Sequence, residues 1–269
     1  MSLGSRRAVF RLLGPALLVL APALAACSPP EPDNSADPSA TAMLGAPATP
    51  QSPAIPQASA AQPSSAPPLP KPKIDKAALS YFFKIALGAE YGDDINVVTR
   101  WTKPVVTVRV NGKPGSAGRD CLDRVVSDFN KLTATTDLRL TTEATADIRL
   151  HFAPVSRFKS LEPDYVPGND GFFHVDWAGD HTITDANILI RTTGISNRIR
   201  CHLIREELTQ SMGLMRDAND HPTSVFYGRY SATPVRYSTL DQKLIKLLYG
   251  GAIQPGDTKQ DITAAVDVR

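Results

Sequence analysis

The stretch that decides the fold is Arg205-Glu-Glu-Leu-Thr-Gln-Ser-Met-Gly-Leu214. Residues three and four apart are neighbours on a helix, so Glu206, Glu207 and Gln210 are predicted to share one side of it. Gly213 stands where a helix commonly ends. The pattern predicts a helix that carries the functional site, with the rest of the fold packed around it.

Residues 1–26 have the composition of an export signal. Three arginines and no acid accompany an apolar run, residues 12–24, that is too short to span a bilayer. The run ends in Leu24-Ala25-Ala26-Cys27, which resembles the bacterial lipobox. That resemblance implies cleavage before Cys27, lipid on its sulfur and a place on the periplasmic face of the outer membrane. Ordinary secretion with an incidental cysteine is the alternative.

The segment 27–73 is predicted to be a disordered tether. Residues 28–70 contain twelve prolines and no aromatic or basic residue, so they cannot bury enough apolar surface to fold. Without the signal, three of the 29 basic residues are lost, and the remaining 26 face 27 acidic residues, a net charge of −1. This balance argues against a general nucleic-acid binder, which needs a basic surface.

Two cysteines remain once Cys27 is assigned to lipid. In an oxidising compartment Cys121 and Cys201 either form a disulfide or remain as two buried thiols. Both lie on predicted helices. A disulfide would join the site helix to an earlier helix.

Residues 74–253 are predicted to form one α+β domain, a mixed sheet covered by helices around the site helix. Asp75 and the pair Ser238 and Asp241 are predicted caps of the first and last helices, and Ser116 is predicted to cap the second. Residues 254–269 are predicted to be a flexible tail. Alternating apolar residues predict strands at 106–110, 138–140, 147–152, 172–177 and 182–191.

The element order and three motifs resemble the zinc peptidases of the metzincin and matrixin type. The site stretch has the spacing of their His-Glu-x-x-His-x-x-Gly helix. Ala186–Ile190 resembles the edge strand that precedes this helix, and Ser224-Val225-Phe226-Tyr227 resembles their Met-turn, with Phe226 in place of methionine. The resemblance implies a zincin-like fold.

A closer resemblance is to a family of bacterial exported proteins catalogued as domain of unknown function 2927. Its hallmark is similar to Glu206–Leu214 followed by Asp217, and Trp101 and Pro104 also fit. This resemblance implies a lipoprotein or exported protein and carries no activity with it.

The residues that replace the zinc ligands of a working zincin bind metal poorly. Glu206 and Gln210 occupy the two histidine positions, and the third ligand position falls at Arg216, which stays protonated. We therefore expect no cofactor and no catalytic zinc. In another interpretation His202 and Glu206 bind a metal together with His221, whereas the simpler one makes His202 a polar partner of Glu206.

Catalysis without metal is the next possibility. Glu206 and Glu207 can act as acid and base in glycoside or acyl hydrolysis if their pKa values differ. Neighbouring residues on a helix point about 100° apart, however, which suits an opposed pair badly. Alternatively Glu206, Gln210 and Arg216 form a hydrogen-bonded network in place of the metal, and Asp217 holds the next loop.

Two histidines outside the site helix are predicted not to bind metal. Strand alternation puts His174 and Asp176 on one face, but His181 falls in a turn. The loop 164–170 either lines a cleft or is an ordinary surface loop.

The sequence leaves three functions open, and with them the question of enzymatic activity. The first is an envelope-tethered, non-catalytic domain that binds a peptide, protein or glycan, pairing it with the edge strand Ala186–Arg191. The second is a hydrolase of envelope peptides or peptidoglycan with Glu207 as general base. The third is a structural assembly factor.

Overall fold

The structure is a computed structural model that describes residues 9–12, 70–88, 96–229 and 233–269, with only the backbone of the first range. Most of the predicted signal, the predicted lipidation site Cys27 and nearly all of the predicted tether lie outside the described residues. Within those ranges no helix is both long and apolar enough to cross a bilayer.

The elements predicted from the sequence occur in the predicted order, together with five short elements that were not predicted. In chain order they are β1 (Val9–Leu12), β2 (Lys73–Ile74), α1 (Lys76–Ala86), β3 (Val105–Gly112), α2 (Gly115–Asn130), β4 (Asp137–Thr141), β5 (Ile148–Ala153), α3 (Phe158–Leu161), β6 (Gly171–Trp177), β7 (Ile183–Arg191), α4 (Asn197–Gln210), α5 (Thr239–Tyr249), α6 (Lys259–Ala265) and β8 (Asp267–Val268).

Six strands form one mixed sheet in the order β1-β6-β7-β5-β3-β4. Strands β4, β3, β5 and β7 run parallel to one another, β6 is antiparallel to β7, and β1 is parallel to β6. The predicted mixed sheet covered by helices is confirmed. A separate two-stranded ladder joins β2 and β8.

The two faces of the sheet carry different cores. On one face, buried residues such as Leu150 and Ile188 pack in the main core with Leu203 and Leu208 of α4. The opposite face carries a smaller cluster, centred on Phe172, under the chain that connects β5 to β6. The site helix therefore lies on one face of the sheet, and the β5–β6 connection lies on the other.

Two of the predicted helix caps occur in the structure, and one does not. Asp75 accepts a hydrogen bond of 2.8 Å from the Ala78 amide, and Ser238 with Asp241 forms a capping box. Helix α2 begins at Gly115 without a side-chain cap. The predicted cap at Ser116 was wrong because the helix starts one residue before it.

The segment 254–269 differs from the predicted flexible tail. Thr258 and Asp261 form a capping box that begins α6, and Ile262 and Val266 are buried in the main core. Strand β8 then pairs with β2. The sequence prediction stopped at Gly256 because it missed the Thr-x-x-Asp capping pattern and the apolar pair four residues apart.

The strand predicted to form the edge of the sheet is an interior strand. Residues 183–191 form β7, which pairs with β5 on one side and β6 on the other. Among strands of the folded domain the edge nearest α4 is β6, and the segment Val9–Leu12 adds to its outer side. Periodicity reveals a strand but not its place in a sheet, so the prediction for Ala186–Arg191 was wrong.

A partly buried carboxylate, that of Asp147, gives the sheet a pH-dependent contact. Asp147 accepts hydrogen bonds from the Thr107 amide at 2.8 Å and hydroxyl at 2.7 Å, and it ion-pairs with Lys103. Burial raises the pKa of Asp147, but Lys103 and the bonds from Thr107 outweigh it and lower the pKa below its ordinary value. The stabilisation is therefore present above the unfolded-state pKa and lost as pH falls through the folded-state pKa.

Asp147→Asn is expected to lower the free energy of unfolding at pH 7 by about 1–2 kcal/mol, because a neutral amide accepts these bonds less well. The difference from the parent protein should begin to shrink below about pH 4, where the carboxylate becomes protonated in the unfolded chain before it does so in the folded one. Urea denaturation at pH 7 and pH 3 measures both values. The exposed Asp123→Asn is the control, and an Asp147→Asn deficit that is the same at both pH values would contradict the assignment.

Candidate functional site

Helix α4 is fixed at both ends by local contacts. The Ser196 side chain caps its first turn by accepting a 3.2 Å hydrogen bond from the Ile199 amide. The chain leaves the helix through Gly213 at φ +109°, where a Cβ atom would meet the Thr99 carbonyl oxygen at 2.3 Å. Only glycine fits this position, which explains the predicted helix stop.

Two contacts join α4 to α2. A disulfide links Cys121 to Cys201, with 5.6 Å between their Cα atoms, so of the two arrangements that the sequence left open, the structure has the bridge. Arg205 donates a 2.8 Å hydrogen bond to Asp128 on α2, and its guanidinium lies 4.4 Å from the ring centre of Tyr237. The site helix is thus held between α2 and the segment that precedes α5.

The predicted site residues lie in a packed environment. His202, Glu206, Glu207 and Gln210 have relative exposures of 1%, 0%, 2% and 3%. Buried carboxylates require partners, since desolvation of a charge is costly. The neighbours of each side chain therefore decide what the helix can do.

His202 and Glu206 form a buried pair one helical turn apart. The His202 Nε2 lies 3.4 Å from a Glu206 carboxylate oxygen, and its Nδ1 lies 2.9 Å from the Pro234 carbonyl oxygen. The Pro234 carbonyl can only accept, so Nδ1 carries a proton, and the contact with Glu206 requires a second proton between Nε2 and the carboxylate. His202 is therefore a polar partner of Glu206, the simpler of the two interpretations.

Gln210 is engaged by Asp217 and not by Arg216. Its amide nitrogen donates a 2.8 Å hydrogen bond to an Asp217 carboxylate oxygen. Arg216 donates instead to the Leu87 carbonyl at 3.3 Å. The prediction that Arg216 forms a network with Glu206 and Gln210 was therefore wrong. Asp217 holds the loop after the helix to the helix itself.

The donor set of α4 does not fit a catalytic zinc ion. Gln210 is bonded to Asp217 through its amide, and Arg216 is a cation directed toward a backbone carbonyl. His221 is exposed, with its ring edge-on to Tyr81 at 4.6 Å between centroids, and does not join His202. No metal-dependent step follows from these residues.

Glu207 faces a different neighbour from Glu206. A Cβ atom added to Gly171, the first residue of β6, would lie 2.3 Å from a Glu207 carboxylate oxygen and 2.9 Å from a Leu203 methyl. The Glu207 carboxylate thus packs directly against the backbone of the edge strand. Since Glu206 faces His202, the two carboxylates do not form an opposed acid–base pair.

Gly171→Ala is expected to push the Glu207 carboxylate away from β6 and to cost about 1–3 kcal/mol of unfolding free energy, as overpacking does. Thermal denaturation measures the loss. The double variant Gly171→Ala/Glu207→Ala should recover part of it, because removing the carboxylate makes room for the methyl group. Additive losses in the double variant would show that the two residues are not in contact. Gly179→Ala is the control, since a Cβ there meets nothing within 4 Å.

A tight turn that resembles the Met-turn is anchored to α5. Ser224 is buried and donates a 2.6 Å hydrogen bond to Asp241, and the Val225 amide lies 3.2 Å from the same carboxylate. Tyr81 of α1 donates to the Ser224 hydroxyl at 3.1 Å. Phe226 is buried in the main core. One carboxylate, that of Asp241, therefore connects this turn to the capping box of α5.

The loop 164–170 does not line the site on α4. Tyr165 packs edge-to-face against Phe158 and Phe172 on the opposite face of the sheet. This placement brings Glu162 and Asp164 close to His174, a group that the sequence analysis missed. Strand alternation showed only that His174 and Asp176 share a face, because the position of the loop depends on tertiary packing.

The family model described as protein of unknown function (DUF2927) matches residues 75–268. The chain belongs to the DUF2927 family. The predicted family is thereby confirmed, and no curated protein matches this DUF2927 chain.

Two solved structures of myroilysin are similar to parts of the DUF2927 chain. One is 12% identical, covers 56% of this chain and 95% of myroilysin, and has a TM-score of 0.36. The other is 11% identical, covers 67% and 98%, and has a TM-score of 0.38. Likenesses of this strength say nothing of the chemistry of the DUF2927 domain.

Proposed function

We propose that this protein is an exported binding domain that takes an extended peptide along the outer edge of β6, beside α4, without a catalytic zinc. The observation that carries the proposal is β1, since Val9–Leu12 adds to that edge in register with His174–Trp177. A ligand that adds in this way must offer alternating N–H and C=O groups. A peptide meets this requirement and a glycan does not.

Export would open the binding edge. Residues 9–12 belong to the predicted signal, and cleavage before Cys27 would remove β1 from the mature protein. The outer backbone groups of β6 would then be available, and an unpaired strand edge is a template for another chain. With lipid on Cys27 and a tether to residue 73, the domain would act on the periplasmic face of the outer membrane. Its partners would be envelope proteins or the peptides of peptidoglycan.

The proposal is tested with a labelled peptide that has the sequence of residues 7–14, Arg-Ala-Val-Phe-Arg-Leu-Leu-Gly. A chain that begins at residue 27, with Cys27→Ser to prevent lipidation, is expected to bind it in fluorescence anisotropy. The chain that retains residues 1–26 should bind it at least about tenfold more weakly, because β1 occupies the same edge.

The control is the same peptide with N-methyl groups on alternate backbone amides. It keeps every side chain but loses the donors that strand addition needs. Equal binding of the two peptides, or no binding of either, would contradict strand addition at β6.

The second candidate function is hydrolysis with Glu207 as general base. The contact between its carboxylate and Gly171 favours this candidate, because it puts a carboxylate beside the start of the edge strand. Mass spectrometry of the peptide after incubation distinguishes the two functions. Cleavage that disappears in Glu207→Gln supports the hydrolase, and an intact peptide supports binding alone.

A further inference from the structure

Four polar side chains converge on the face of the sheet opposite α4. Glu162 and Asp164 come from the connection between β5 and β6, and His174 and Asp176 alternate along β6. One ligand atom from each of Glu162, Asp164 and His174 lies within 4.8 Å of the other two. Glu162 and Asp164 lie in a segment that takes no part in the proposed peptide binding.

The His174 imidazole is oriented for ligation. Its Nε2 lies 3.5 Å from a carboxylate oxygen of Asp176, and its Nδ1 lies 4.0 Å from one of Asp164. Nδ1 is buried and has no hydrogen-bond partner, in a side chain that is only 7% exposed. A proton on Nε2, directed to Asp176, leaves the Nδ1 lone pair facing the other two carboxylates. Metal-binding histidines are held by a carboxylate in this way.

Glu162 is fixed in place by two hydrogen bonds. One carboxylate oxygen accepts from the Asn187 amide at 3.0 Å, and the other accepts from the Asp164 backbone N–H at 3.0 Å. Asn187 is itself held by the Leu161 carbonyl at 3.0 Å. Glu162 is thus a buried anion in a preset position, next to a second carboxylate and an imidazole.

Arg149 attracts the Glu162 and Asp176 carboxylates electrostatically, but its hydrogen bonds go to Asp185 and not to the cluster. Arg149 donates both of its terminal N–H groups to Asp185, at 2.5 Å each. Three carboxylates therefore surround His174, and a divalent cation would balance part of their charge.

We propose that Glu162, Asp164 and His174 bind one Zn²⁺ ion, with Asp176 as the residue that positions His174. One imidazole nitrogen, two carboxylate oxygens and a water molecule complete a four-coordinate zinc site, whereas Ca²⁺ takes six to eight oxygens. Tetrahedral ligands at about 2.1 Å from zinc lie roughly 3.4 Å apart. The cluster must contract, and Asp164, which is on a loop and 39% exposed, is the side chain free to move. Bound zinc would fasten the β5–β6 connection to β6.

The purified protein, stripped with EDTA and then titrated with ZnCl2, is expected to bind one zinc per chain by calorimetry. A hundredfold excess of zinc over its Kd should raise the Tm by roughly 5–10 °C. Replacement by Co²⁺ should produce visible absorption bands that disappear when zinc is added. Absence of stoichiometric binding below about 100 µM zinc would overturn the proposal.

Variants locate the ion. Asp164→Ala and His174→Ala are expected to abolish binding, and Asp176→Asn to weaken it by about 10–100-fold through loss of the orienting contact. Asp164→Ala changes an exposed loop position, so it keeps the test valid if His174→Ala fails to fold. His221→Ala is the matched control with an exposed histidine and should bind zinc unchanged. Zinc retained in Asp164→Ala but lost in Glu206→Gln would show that the ion binds at α4 and would overturn the assignment.

Discussion

Replacing Cys121 and Cys201 together by alanine is expected to lower the free energy of unfolding by about 4 kcal/mol. The bond closes a loop with a sequence separation of 80, and a crosslink over so long a loop removes much of the entropy of the unfolded chain. For a domain of this size the loss corresponds to a fall in Tm of roughly 10 °C.

Calorimetric unfolding with and without reductant measures this effect. Reductant should destabilise the parent protein by about the same amount and leave the double-alanine variant unchanged. A parent protein that is insensitive to reductant, with thiols that react with a labelling reagent before unfolding, would show that the two cysteines do not form the bridge.

The second large effect is expected from Asp241→Ala, which should cost about 4 kcal/mol. The Asp241 carboxylate is buried and accepts hydrogen bonds from the Ser224 hydroxyl, the Val225 amide and the Ser238 amide. Alanine would leave two buried donors and the partly buried Ser238 amide without this acceptor, at about 1–3 kcal/mol for each buried donor. Because the turn at 224–227 depends on these bonds, proteolysis at that turn should also accelerate.

Asp261→Ala is the matched control for this variant. Asp261 occupies the same position in the capping box of α6, but it is exposed and accepts its hydrogen bonds from Thr258. Its loss should cost only about 1 kcal/mol. Similar costs for the two variants in urea denaturation would contradict the role of Asp241 as the link between the turn and α5.

The elements of this fold were predictable because their signals are local. The alternation of Ile148, Leu150 and Phe152 and the box at Ser238 depend only on neighbours in sequence. The position of a strand within a sheet is not local, so Ala186–Arg191 was assigned to an edge although β7 lies between β5 and β6. The cluster of Glu162, Asp164 and His174 was not predicted for the same reason, because it forms only when the connection between β5 and β6 packs on the sheet.

The candidate site was predictable in its position but not in its contacts. The spacing of Glu206 and Gln210 identified the helix, and the exchange of both histidines indicated a poor metal site. Which partner each side chain takes depends on distant segments, as with Gln210 and Asp217 or Glu207 and Gly171. Sequence spacing could not distinguish Arg216 from Asp217 as the partner because both follow the helix closely.

The central claim, that the outer edge of β6 accepts an extended chain, is tested most directly by amide hydrogen exchange. The protein that begins at residue 27 would be compared with and without the peptide of residues 7–14. We predict slower exchange in residues 171–177 and unchanged exchange in β4, at the far edge of the sheet. Unchanged exchange in 171–177 while the peptide is bound would contradict the claim.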